Sequence, residues 1–167
     1  MTTGNVDELR RKLLLEQAVT RRQDRLVRLA NVAVLRLENS DMRTSQLRNA
    51  VTVAQQEGAS YDVVANFIRY KIATQKGAWG TDRKSFGHTV IDQLDQQVRW
   101  EAQQALDWLK EQPKFAQLPR GDEIEADLYG AMLKRYMGYI VRAFAYYEKS
   151  DDKATALKLL KGAADAN

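Results

Sequence analysis

The chain has no cysteine, only two prolines and a single histidine. The first absence removes disulfides, thiolate metal sites and cysteine nucleophiles, and it suits a reducing compartment. The second leaves nearly the whole chain free to run in uninterrupted helices, since Pro113 and Pro119 share one short stretch. Apolar runs such as Leu13-Leu14-Leu15 fall far short of the roughly 20 residues that a membrane span needs. The opening residues, Met1 to Glu8, are polar and acidic, unlike a secretion signal. These features predict a soluble, cytoplasmic protein with no membrane partner. At 167 residues, one domain with a sizeable core is expected.

What is present is helical periodicity and an uneven charge. The formal charge of +4 is mild, but residues 1–50 carry ten Lys/Arg against six Asp/Glu, and residues 61–90 carry five against two. Residues 101–167 are close to neutral, with ten against eleven. The N-terminal half is therefore the part that attracts an anionic partner.

Spacing predicts an all-α helical bundle of about five to six helices, with no strand alternation and no repeat. Residues 1–38 read as a long helical arm, running from Val6 to Leu37 as one helix or two nearly continuous ones. Leu9, Leu13, Leu26, Ala30, Ala33 and Leu37 form its apolar side, and the polar stretch from Thr20 to Arg25 marks a bend. A second helix starts near Thr44 or Ser45, whose hydroxyls cap it, and ends before Gly58. A third begins at Ser60 with Val64, Phe67 and Ile72 inward, and Gly77 ends it in a loop around Trp79. The fourth, from about Ser85 to Gln112, buries Phe86, Val90, Leu94, Val98, Ala102, Ala105 and Leu109. The fifth opens on Asp122, Glu123 and Glu125 after the loop from Pro113 to Gly121, and puts Ile124, Leu128, Met132, Tyr139, Ala143 and Tyr146 inward. A short helix and tail occupy residues 152–167.

Catalytic motifs are not found. His88 stands alone at a helix start, the Gly77/Gly80 pair is too short for a phosphate loop, and the acidic group from Asp122 to Asp127 reads as a helix N-terminus. No enzyme activity, metal or cofactor is expected.

Two segments carry a resemblance. One is Arg43-Thr44-Ser45-Gln46-Leu47-Arg48-Asn49, and the other runs from Arg135 through Tyr136, Tyr139, Arg142 and Tyr146-Tyr147 to Lys149. Between them stands the basic–aromatic run Phe67-Ile68-Arg69-Tyr70-Lys71-Ile72, followed by Gln75-Lys76-Gly77. In this order the three resemble the small-subunit family of type III-A, or related type III, CRISPR effector complexes, over roughly residues 42–151. The chain departs from that pattern at Lys76, Gly138, Arg142 and in its long N-terminal segment. The resemblance implies a non-catalytic bundle that stacks in several copies, contacts the other effector subunits and lines the channel holding the guide–target RNA duplex. It implies contacts to target RNA through basic side chains.

The residues agree with such a role. Arg43, Arg48, Arg69, Lys71, Lys76, Arg83 and Lys84 fall within about forty positions, mostly at helix ends and loops, where long cations reach phosphates. Arg48 and Arg69 are expected on one face with Arg43 and Lys76. Trp79 can stack on a base, fill a partner's pocket or fold back onto its own bundle. Tyr136, Tyr139 and Tyr146 share a helix face, for which core packing is the default. Arg10, Arg11, Arg21, Arg22, Arg25 and Arg28 form either a nucleic-acid arm or a solvated face that meets a neighbouring subunit. The rival to the RNA reading is a helical adaptor that binds proteins only.

Overall fold

The computed structural model describes residues 3–117 and 123–165, all helix, turn or loop, with no strand among them. Its elements are α1 (Thr3–Thr20), α2 (Gln23–Val34), α3 (Thr44–Gln55), α4 (Tyr61–Thr74), the single turn α5 (Lys76–Trp79), α6 (Phe86–Asp92), α7 (Val98–Lys110), α8 (Ile124–Lys149) and α9 (Lys153–Asp165). A π segment, Gln93–Gln97, joins α6 to α7 without a break. Counting that joined pair as one gives eight helices among the described residues, more than the five to six expected. The surplus comes from the break between α1 and α2 and from the turn α5. Pro119, Gly121 and Asp122, in the expected loop and helix start, lie outside the described residues.

The bundle is organised around α8. Ile124, Leu128, Met132, Tyr136, Ile140 and Phe144 recur every four residues, with Tyr129, Leu133 and Met137 beside them, and all are buried. A stripe that wide needs cover on several sides. It receives most from α2, then from α3 and α7, with α9 and α1 completing the shell.

Capping ties the layers together. The Glu148 carboxylate at the end of α8 accepts from the Thr44 hydroxyl (2.8 Å) and the Thr44 N–H (3.3 Å), placing an anion at the N-terminus of α3. The two segments that carry the family resemblance therefore meet in space. Thr44 does not cap its own helix as expected; Gln46 does that work, accepting from the Arg43 N–H at 2.8 Å. Ser60 caps α4 as the sequence implies, accepting from Val63 N–H. Gly58 takes φ +74 after α3, and Gly80 takes the same φ after α5, so each sits where a left-handed residue is needed.

The fourth expected helix matches in its buried face: Phe86, Val90, Leu94, Val98, Ala102, Ala105 and Leu109 are all buried. Other registers differ. Leu9 and Leu13 are 66% and 59% exposed, while Leu14, Ala18 and Val19 are buried in their place. The segment expected as an arm splits at Arg21–Arg22, and its second half, α2, is the main partner of α8. On α8, Tyr139 and Ala143 are half-buried and Tyr146 is exposed, whereas Tyr136 is fully buried. The four-residue stripe governs there, because helices pack along nearly the full length of α8.

The π segment is fastened to α8 by two tyrosines. Tyr129 donates to the Leu94 carbonyl at 3.0 Å, and Tyr136 donates to the Gln93 side-chain oxygen. Burial pushes both phenols above their ordinary range, with Arg99 partly opposing this at Tyr129. An unfolded tyrosine ionises near pH 10 while these two hold their protons, so their contribution is complete below about pH 10 and is lost as pH rises beyond it. Urea midpoints for the wild type are expected to fall between pH 9 and 11 more steeply than for Tyr136→Phe. At neutral pH the same variant should be less stable by about 1–3 kcal/mol, because it orphans a buried amide oxygen. Parallel pH curves for the two proteins would refute the assignment.

Candidate nucleic-acid interface

The seven basic residues singled out by sequence occupy α3, α4, α5 and the loop before α6. Arg43 is the residue that opens α3, Arg48 lies one turn further on, Arg69 and Lys71 lie on α4, and Lys76 starts α5. Arg83 and Lys84 lie in the loop between α5 and α6. Three hydrogen bonds stitch these segments together. Asp41 N–H donates to the Gly77 carbonyl (3.0 Å), Gln46 Nε2 donates to Gln75 Oε1 (3.3 Å), and Gln75 N–H donates to the Lys71 carbonyl (2.7 Å). The start of α3, the end of α4 and α5 are thus one junction, and Arg43, Lys71 and Lys76 belong to it.

Six of the seven are exposed, and Lys71 is half-buried with its ammonium 5.3 Å from the Phe67 ring centre and 5.5 Å from that of Tyr70. Among the described residues, none of the seven lies within 4.0 Å of a carboxylate oxygen. Elsewhere arginines are engaged: Arg11 with Asp127 (2.6 Å), Arg22 with Glu101, Arg135 with Glu16. The junction therefore keeps its positive potential facing water.

That potential is not a single line. At about 100° per residue, Arg48 stands roughly 200° round α3 from Gln46, the side chain that meets α5. Arg69 and Lys71 diverge by the same angle on α4. Cations of the first expected stripe accordingly spread around the two helices, with the Arg43–Lys76 junction between them. Two carboxylates moderate the field. Asp41 lies against Gly77, where a Cβ would meet its Oδ2 at 2.3 Å. Asp82 accepts from Lys84 N–H at 2.9 Å, and that bond, with Ser85 beside it, holds the carboxyl below its usual range.

Trp79 does not take part. It is buried on α5 against Phe86, ring centres 5.4 Å apart, and no base can reach it. Local sequence gave no sign of Glu148 as the anchor of α3, because 104 positions separate it from Thr44. Among the described residues no group of three or more His, Cys, Asp or Glu could hold a metal ion, and His88 is half-buried in the first turn of α6. No described helix is long and apolar enough to cross a membrane.

Comparison with protein-family models, with curated proteins and with solved structures gave no significant match.

Proposed function

We propose that this chain is a non-catalytic small subunit of an RNA-guided type III CRISPR effector complex. In this reading it stacks in several copies beside the other subunits and touches target RNA by charge. The observation that carries the reading is the set of seven cations on α3, α4, α5 and the loop before α6, none of which has a carboxylate partner among the described residues. The order of the three motifs supports it, and so does the contact of Glu148 with Thr44, which joins the first motif to the last. Sequence discrimination would rest with guide pairing, leaving this subunit to hold phosphates.

A protein-only adaptor is the second reading. It is favoured by Leu9 and Leu13, one turn apart and both well exposed on α1, which suit a partner surface.

Salt-dependent RNA binding by the assembled complex separates the two. Arg48→Ala and Arg69→Ala should each weaken binding about equally for unrelated RNA sequences. Each should also flatten the slope of log affinity against log salt by roughly 0.7, the increment per phosphate on a single strand. Stability should hold, because exposed substitutions away from caps and core change it by about 0.5 kcal/mol or less. Affinity indifferent to both alanines at low and high salt would leave the adaptor reading.

A further inference from the structure

A second surface carries cations beside an open aromatic ring. Between α2 and α7 lies a groove of about 460 Å³. α2 contributes Arg25, Arg28, Leu29 and Val32 to its lining, the π segment Gln96 and Gln97, α7 Trp100, and α9 Ala164. Trp100 is 48% exposed, unusual for an indole in a folded bundle.

Charge decides what the groove suits. Residues 21–36 hold five arginines, one aspartate and no lysine. Arg25 and Arg28 lie one turn apart on α2, about 4.5 Å along its axis at 1.5 Å per residue, and Arg21 stands in the turn just before that helix. Among the described residues none of these three lies within 4.0 Å of a carboxylate, although Asp24 is one turn before Arg28. Glu101 also borders the groove, but its carboxylate is already taken by Arg22. Arginines alternate with indoles along this edge: Arg21 lies 4.9 Å from the Trp108 ring centre and Arg22 lies 5.6 Å from that of Trp100.

We propose that the groove between α2 and α7 binds single-stranded RNA, with a base stacked on Trp100 and the flanking phosphates on Arg25 and Arg28. A cationic groove beside an aromatic platform is the arrangement that holds single strands without reading sequence. Arginine suits it, because a planar guanidinium both grips phosphate and stacks. The amides of Gln96 and Gln97 offer donors and acceptors to a ribose 2′-hydroxyl. An acidic protein segment would satisfy the arginines and leave the open indole face without a planar partner. The proposal does not depend on the α3–α5 junction.

The test titrates the full chain with an unstructured eight-nucleotide RNA at about 50 and 200 mM salt, followed by anisotropy. Trp100→Leu should weaken binding roughly five- to hundred-fold, the range for losing one stacked base, and Trp100→Phe should retain most of the affinity. Arg25→Gln with Arg28→Gln should flatten the salt slope by roughly 1.4, two increments of 0.7. Melting curves identify any variant that loses its fold, and the Phe and Gln variants then carry the result. Wild-type affinity in Trp100→Leu and in the double Gln variant overturns the proposal and leaves the groove to a protein partner. Arg43→Ala with Lys76→Ala, in the same titration, keeps the two surfaces apart. Loss there with intact binding by the groove variants removes the groove alone, and the reverse pattern removes the junction alone.

Discussion

Trp79→Ala is expected to lower the melting temperature by about 6–20 °C. The indole is only 1% exposed, and it fills the space between α4, α5 and α6 against Phe86. Truncating a buried tryptophan to alanine costs about 3–5 kcal/mol, and each kcal/mol moves the midpoint by about 2–4 °C in a domain of this size. The site cannot collapse easily. Gly87 already sits so close that a Cβ there would meet Ile72 at 2.6 Å and the Trp79 carbonyl at 3.3 Å. The indole N–H is buried without an acceptor among the described residues, so Trp79→Phe gives up area but removes an unsatisfied donor, and should cost much less. Thermal denaturation of the two variants checks both statements. A Trp79→Ala protein that melts like the wild type but loses RNA binding would mean that the ring works at the surface.

The contrast between Trp79 and Leu94 shows what the sequence could convey. Leu94 belongs to a run of apolar residues at spacings of three and four, and such a run defines one face without further information. Trp79 stands between two glycines, so no period assigns it a direction; its burial follows from Phe86 and the bare α-carbon of Gly87, which only the fold brings near. On α1, three successive leucines fit more than one register. The choice of Leu14 over Leu13 was made by packing. On α8 the tyrosines were ambiguous because their rings are apolar and their tips are not. Tyr136 could turn inward because the π segment supplies the Gln93 amide oxygen. The candidate interface was legible as a list of cations and not as a shape. Arg11, Arg22 and Arg135 are engaged by carboxylates 79 to 119 positions away, so the unpaired cations become visible only by subtraction.

Arg22→Ala should destabilise the protein by roughly 3 kcal/mol, the lower end of the cost of breaking a buried ion pair. The reason lies in what it leaves behind. Glu101 has a side chain only 6% exposed on the inner side of α7, and Arg22 is its partner. Arg22 itself is 21% exposed, so water reaches the guanidinium and screens part of the attraction, which argues against the upper end of the range. The same residue sits at the break between α1 and α2, where its carbonyl accepts from Arg25 and Leu26 N–H groups. Its head also lies over Trp100. One side chain thus ties the turn between α1 and α2 to α7. Glu101→Gln keeps a hydrogen-bond acceptor and removes the buried charge, so its loss should be smaller than that of Arg22→Ala. Replacing both residues with apolar ones, Arg22→Met with Glu101→Leu, should recover much of the stability, since a buried pair contributes little against hydrophobic residues of similar volume. Chemical denaturation of the four proteins forms the comparison. Equal destabilisation by Arg22→Ala and by the double apolar variant would mean that the helix break, and not the stranded carboxylate, is what Arg22 protects.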